Sequence, residues 1–168
     1  EFSATGLGGL YLSGLENGIV CSVGTGTAFV SANKHEAVHL GGTGVGGGTL
    51  LGLSGQMINM HSFENIMEAA SEGDLSNVDL TIGDISRSID STLDLTMTAA
   101  NFGKVSDDAT DEDKALAIIN LVCQTIGVVA VAAARGMGFS DIVLTGKLTT
   151  LPQTREIVSG VGKLFGMT

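Results

Sequence analysis

Six glycines fall within eight residues at Gly41-Gly42-Thr43-Gly44-Val45-Gly46-Gly47-Gly48, and the apolar segment that follows begins Thr49-Leu50-Leu51. Residues 36–40 favour a strand, so the pattern predicts a strand, a glycine loop and a helix in succession. The first N–H groups of a helix lack intrahelical partners and carry partial positive charge, so this loop could bind an anion. The alternative is a flexible linker, which does not usually lie between a strand and a helix. The segment lacks the Lys-Ser/Thr pair of a P-loop.

Two short apolar runs precede the glycine segment. Residues 19–23 and 28–31 flank Gly24-Thr25-Gly26-Thr27, and with 36–40 they predict antiparallel strands joined by tight turns. The N–H groups and hydroxyls of Gly24–Thr27 could face a polyphosphate, because glycine permits close approach. On this motif alone, an ordinary hairpin turn is the favoured explanation of the same residues. Residues 1–17 favour a helix before the first strand.

The rest of the chain alternates helical and strand-like segments. Ser62 is a candidate N-cap, residues 74–94 read as an irregular insertion, and Thr110-Asp111-Glu112-Asp113 has the spacing of a capping box. Pro152 suits the first turn of a last helix. The predicted elements are helices over 63–71, 111–135 and 152–165 and a strand over 141–145. Since no repeat or linker appears, we expect one α/β domain over 1–168, with a mixed sheet flanked by helices.

The amino-acid composition makes some classes of binding partner unfavourable. The 168 residues are 43% hydrophobic and carry a formal net charge of −10, with only eight Lys and Arg. Nucleic acids and anionic membrane surfaces are therefore poor partners. A small anionic ligand could still bind the N–H groups of the protein backbone with the help of a metal ion. Glycine, at 25 residues, is about twice its usual share of roughly 7%. Cys21 and Cys123 lie in apolar stretches, which favours buried thiols and a cytoplasmic location.

The run Ala115–Ala134 contains no charged residue and is long enough to cross a bilayer. Polar residues interrupt the run, and no aromatic belt flanks it. A helix buried inside a soluble protein or dimer explains it better.

These pieces, in this order, resemble a type II pantothenate kinase of the actin and sugar-kinase superfamily. The similarity lies in several motifs along nearly the whole chain: Glu1-Phe2-Ser3-Ala4, Ser22 to Thr27, Gly41 to Gly48, Asp94-Leu95-Thr96 with Thr98 to Gly103, and Asp141 to Gly146. The resemblance implies an actin-like, ribonuclease-H-like ATPase lobe that uses ATP and Mg²⁺ to phosphorylate pantothenate.

The resemblance also implies roles for individual residues. Glu1 falls on the acid that would accept the proton of the pantothenate hydroxyl. The residues implied to line the ATP and phosphate path are Gly24, Thr25, Gly26, Thr27, Gly46, Gly47, Gly48, Thr49, Leu50, Leu51, Phe63, Gly146 and Lys147. Those implied to contact the substrate are His39, Gly41 and Gly42. No residue is implied as a protein ligand to metal.

Some features depart from the family pattern. His39 stands where an arginine is expected, and Lys147 where a small hydroxyl residue is frequent. The identity of the substrate that accepts the phosphoryl group is therefore open. A phosphate loop is expected before Glu1 and a strand and helix after Thr168, so we expect this C-terminal lobe to be inactive alone and to need the N-terminal segment of the same protein. The resemblance further implies a homodimer through 115–134. The alternatives are a degenerate nucleotide-binding regulator, and a kinase or ATPase of the same superfamily acting on another small substrate.

Overall fold

The computed structural model describes residues 1–86 and 95–168. The described chain comprises two compact units, one formed by Glu1–Leu50 and Val122–Thr168 and the other by Leu51–Leu121. The expectation of one lobe over 1–168 stays a prediction.

Helices and strands are mixed along the whole chain. In chain order they are α1 Phe2–Ser13, β1 Asn17–Val23, β2 Thr27–Asn33, β3 Ala37–Thr43, α2 Gly47–Met57, α3 Phe63–Ser71, β4 Leu80–Thr81, α4 Ile82–Ile85, β5 Thr98–Ala100, α5 Asp111–Met137, β6 Ile142–Thr145 and α6 Pro152–Leu164, with 3₁₀ turns at Leu75–Asn77 and Lys147–Thr150.

The first unit is built on a four-stranded sheet in the order β3-β2-β1-β6. Strands β1, β2 and β3 are antiparallel neighbours, and β6 pairs in parallel with β1, so the predicted mixed sheet is confirmed. Helix α1 packs on the sheet through Leu10, which joins Val20, Val30 and Ala32 in a buried cluster. Because these residues alternate along their strands, one face of the sheet is apolar.

Helix α5 begins at the predicted capping box. The Thr110 hydroxyl accepts from the Asp113 N–H at 3.2 Å, and an Asp113 carboxylate oxygen accepts from the Thr110 N–H at 3.1 Å. Among the described residues, this helix alone is long and apolar enough to cross a membrane. Because 61% of its most apolar part is buried, α5 is a core helix of the protein.

The second unit contains the shorter elements. Ser62 caps α3 as predicted, its side chain accepting from the Asn65 N–H at 3.3 Å. The core of this unit includes Val78, Ala109 and Ala117. Its helix α4 starts with a second capping box, formed by Thr81 and Asp84.

Two details of the prediction are wrong. The irregular insertion expected over 74–94 contains a 3₁₀ turn, β4 and α4 within residues 74–86; residues 87–94, including Asp94 of a quoted motif, lie outside the described residues. The predicted glycine loop over 41–48 is also too long, because β3 continues to Thr43. Gly42 pairs with Ala28 and Thr43 with Thr27, so the neighbouring strand outweighs the low strand propensity of glycine.

Candidate functional site

The turn between β1 and β2 presents backbone donors at the surface. Gly24 N–H donates to the Gly26 carbonyl at 2.8 Å, which closes the turn. Three donors at the tip of this turn make no hydrogen bond within residues 1–86 and 95–168. They are the N–H groups of Thr25 and Gly26 and the Thr25 hydroxyl. Thr25 is exposed. The tip of the turn therefore offers three donors to a ligand.

The start of α2 docks onto this turn backbone to backbone. Gly47 N–H donates to the Gly24 carbonyl at 2.8 Å and Gly48 N–H to the Thr25 carbonyl at 2.9 Å. A Cβ added at Gly46 would lie 2.7 Å from Gly26 Cα, a separation that side chains do not tolerate. Two of the N–H groups that the sequence suggested as anion donors are thus engaged within the protein.

Hydroxyl groups hold the loop between β3 and α2. Thr27, which is buried, donates to the Val45 carbonyl at 2.9 Å. Thr49 donates to the Gly44 carbonyl at 2.9 Å and accepts from the Gly46 N–H at 3.2 Å. Both hydroxyls are therefore occupied by the loop itself. The fully buried Leu50 ends this part of the first unit.

Gly146 lies beside the same turn. It follows β6, which runs parallel to β1, and a Cβ at this position would collide with the Val23 carbonyl. Its φ of +109° is one that side chains rarely adopt. Lys147, which is exposed, opens the following 3₁₀ turn. The structure thus brings Gly146 within contact of the residue that precedes Gly24.

The substrate residues implied by the resemblance, His39, Gly41 and Gly42, all lie on β3. The rings of Phe2 and His39 stack with centroids 4.0 Å apart and planes 10° from parallel. His39 therefore lies beside the first turn of α1, which the exposed Glu1 precedes in the chain. Gly41 and Gly42 continue β3 and pair with β2.

Two of the expected nucleotide residues belong to the second unit. Leu51 continues α2 and is half-buried, and Phe63 is the first residue of α3 and is also half-buried. The remaining residues named above lie in the first unit.

A buried carboxylate, Asp79, was not predicted from the sequence. Its side chain is fully buried and accepts hydrogen bonds from four groups, which are Phe102 N–H at 2.8 Å, Thr98 Oγ1 at 3.1 Å, Asn101 Nδ2 at 3.2 Å and Asn120 Nδ2 at 2.8 Å. These hold the Asn101–Gly103 turn, where Phe102 has a φ of 56°. No local pattern marks Asp79, because its partners lie 19 or more residues away.

Neither cysteine supplies a nucleophile at neutral pH. Desolvation by burial raises the pKa of the Cys21 thiol to about 12 and that of Cys123 to about 11, so neither is a thiolate at neutral pH. Hydrogen bonds, first from the Thr81 N–H and then with Lys104, lower the pKa of Asp84 to about 2. The chemistry open to the first unit is binding through backbone donors, with Glu1 as the exposed acid near the Phe2–His39 stack.

Comparison with known proteins gives a family. The family model described as Fumble matches residues 18–163. The type II pantothenate kinase of Oceanobacillus iheyensis is 36% identical over 143 residues, which are 83% of this chain and 53% of that protein. That of Bacillus anthracis is 33% identical over 154 residues, 87% of this chain and 56% of the relative. The chain thus spans about half the length of the curated relatives it matches.

Among solved structures, the chain is similar to a xylulose kinase from Rhodospirillum rubrum. The TM-score is 0.57 and the identity 12%, over 96% of this chain and 35% of that one. At this identity the likeness shows the fold alone, and it confirms the predicted α/β class with a mixed sheet flanked by helices.

Proposed function

Because this chain belongs to the Fumble family, the type II pantothenate kinases of the actin and sugar-kinase superfamily, we propose that it is part of a cytoplasmic kinase that phosphorylates pantothenate with ATP in coenzyme A biosynthesis. The observation that carries the proposal is the turn Gly24–Gly26, whose tip exposes unengaged donors. Such backbone groups suit a polyphosphate in a chain with a net charge of −10, because they attract an anion without a cationic side chain.

Nucleotide binding would use the exposed edge of that turn. The Thr25 and Gly26 N–H groups would donate to phosphate oxygens, and Gly146 with Lys147 would border the nucleoside side of ATP. Leu51 and Phe63, which the resemblance implies near the nucleotide, stay predictions.

We propose that an Mg²⁺ ion arrives with ATP. Among residues 1–86 and 95–168, no three His, Cys, Asp or Glu side chains are grouped to hold a metal ion. Mg²⁺ commonly keeps several waters and binds one or two carboxylates together with substrate phosphates, so a protein cage is not required. When bound, it would neutralise charge on the β- and γ-phosphates.

Glu1 would act as the general base. The pantothenate hydroxyl oxygen forms a bond to the γ-phosphorus while the bond from that phosphorus to the β–γ bridging oxygen breaks, ADP leaves, and the hydroxyl proton passes to the Glu1 carboxylate. The exposure of Glu1 supports this role, because a base must reach its substrate. Stacking of Phe2 on His39 would fix the direction of the first helical turn.

The test is phosphoryl transfer by the full-length protein, measured as formation of phosphopantothenate from Mg·ATP and pantothenate. We expect Glu1→Gln to lower kcat by about 100-fold or more, the range of general-base contributions, while ATP affinity is kept. Glu36→Gln is the matched control, since Glu36 is also an exposed glutamate of the first unit. Equal rates for the two variants would remove Glu1 from the mechanism, and absence of ATP binding would refute the kinase proposal.

A nucleotide-binding regulator without transfer is the second candidate. The Phe2–His39 stack favours it, because one face of the His39 ring is engaged in packing. ATP binding without phosphopantothenate formation in the full-length protein would select this candidate. Transfer to another small hydroxyl compound would indicate a kinase of different specificity.

A homodimer through 115–134 would bury the exposed side of α5. Val128 and Val129 on this helix are 52% and 37% exposed. Val129 also borders a groove of about 300 Å³ formed with Phe29 and Leu40. We expect Val129→Lys to shift the sedimentation coefficient from dimer to monomer, whereas Val105→Lys, at a site 49% exposed outside this helix, leaves it unchanged. A wild-type monomer would contradict the dimer.

A further inference from the structure

We infer that Gly46 and Gly48 are positioning residues: they set the conformation of the turn Gly24–Gly26, and thereby the nucleotide affinity, without contacting phosphate through their own N–H groups. The inference rests on the proposed function for its link to ATP. Its structural part, the docking of one backbone on the other, stands without a ligand.

The N–H groups of Gly46, Gly47 and Gly48 are already engaged. Gly47 and Gly48 N–H groups donate to the turn carbonyls of Gly24 and Thr25 at 2.8 and 2.9 Å, and Gly46 N–H donates to the Thr49 hydroxyl at 3.2 Å. A phosphate could recruit these groups only by breaking the bonds that fix the turn. These three N–H groups are therefore not free for a ligand, whereas in the described part of the chain those of Thr25 and Gly26 at the tip of the turn are.

The close contact leaves no room for a side chain at either position. A Cβ at Gly46 would lie 2.7 Å from Gly26 Cα and from the Thr25 carbonyl oxygen. A Cβ at Gly48 would lie 2.7 Å from the Thr25 methyl carbon and 3.1 Å from its carbonyl oxygen. The turn would have to move in both cases, but at Gly48 the closest atom belongs to a side chain that can be changed.

A control position exists on the same helix. A Cβ added at Gly52 would meet nothing within 4 Å. Gly52→Ala therefore changes the same residue type in α2 without touching the turn, and alanine favours the helix. Gly48→Ala and Gly52→Ala differ only in whether the added methyl meets Thr25.

The experiment measures Mg·ATP affinity by calorimetry in the full-length protein. We expect Gly48→Ala to weaken binding about tenfold, the size that overpacking by one methyl implies, and Gly52→Ala to change it less than about twofold. In the Thr25→Ser background, where the methyl is removed, the loss caused by Gly48→Ala should shrink to about threefold, because the carbonyl contact remains. An equal loss in both backgrounds, or no loss in either, would overturn the inference.

Folding and ligand binding are separated by a second measurement. Amide hydrogen exchange without ATP should find Gly47 and Gly48 protected and Thr25 and Gly26 exchanging rapidly. Fast exchange at Gly47 and Gly48 would overturn the docking even if ATP binds. If the wild-type protein shows this protection but binds no ATP, the proposed function fails while the positioning of the turn stands.

If Gly48→Ala does not fold, recovery of folding and binding in the double variant with Thr25→Ser supports the inference, and failure of that variant opposes it.

Discussion

Replacing Asp79 with asparagine should destabilise the second unit by about 2–4 kcal/mol. The carboxylate is fully buried and accepts from four donors through two oxygens. An asparagine keeps one oxygen, which can still accept from Thr98, Asn101 and Asn120 if it takes the position of Oδ2. Its NH₂ group would then face the Phe102 N–H.

The magnitude follows from the bonds affected. Leaving a buried donor unsatisfied costs about 1–3 kcal/mol, and hydrogen bonds to a charged acceptor contribute about 1.5–3 kcal/mol against about 0.5–1.5 for neutral ones. One lost bond and three weakened ones would together cost roughly 4–7 kcal/mol, but removing the buried charge relieves its desolvation cost of a few kcal/mol, which leaves roughly 2–4 kcal/mol. The assay is urea unfolding at neutral pH, compared with Asp107→Asn at an exposed site. A difference between the two variants below about 0.5 kcal/mol would refute the reasoning.

The remaining predictions concern backbone strain, pH and thiol access. Gly146→Ala should lower the melting temperature far more than Gly138→Ala, because both have positive φ but only Gly146 also faces a backbone clash; equal shifts in a thermal scan would contradict this. The hydrogen bond from the Asp74 N–H, opposed by burial and helped by bonds from Thr110 and Asn77, lowers the pKa of Asp113. The stabilisation by this carboxylate is therefore present above the unfolded pKa and is lost as pH falls from about 4. Urea midpoints from about pH 6 to about pH 3 should fall less steeply in Asp113→Asn than in wild type. Cys21 and Cys123, buried and with raised pKa values, should react with Ellman's reagent at about pH 8 only after urea is added, and rapid reaction of the native protein would contradict their burial.

Local signals in the sequence predicted the helix starts well. Ser62 and Thr110 each bond to a residue three positions along the chain, so the information needed lies within one turn of helix. The mixed sheet was also predictable, since β1, β2 and β6 are short apolar runs bounded by glycine turns. The resemblance added the family and its actin-like class of fold.

Features that depend on residues distant in the sequence could not be predicted from local sequence patterns. The extension of β3 through Gly41–Thr43 depends on pairing with β2, and the network of Asp79 joins residues separated by 19 to 41 positions. The same reason explains why the glycine segment was expected to offer free N–H groups to an anion. The N–H groups of Gly47 and Gly48 look unengaged in sequence, because their acceptors lie on a turn more than 20 residues earlier.

In the proposed site, backbone N–H groups would bind the phosphate, a role that cationic side chains often have. Eight Lys and Arg stand against 18 Asp and Glu, and the exposed donors at the turn are N–H groups and a hydroxyl. Backbone donors cannot extend toward a ligand as a lysine can, so a phosphate is bound only if the turn already has the right shape. A methyl group at Gly46 or Gly48 would displace all of these donors together, whereas an added lysine would bring charge without moving any of them. Affinity for the nucleotide should therefore depend more on the spacing of the glycines than on the net charge of the chain.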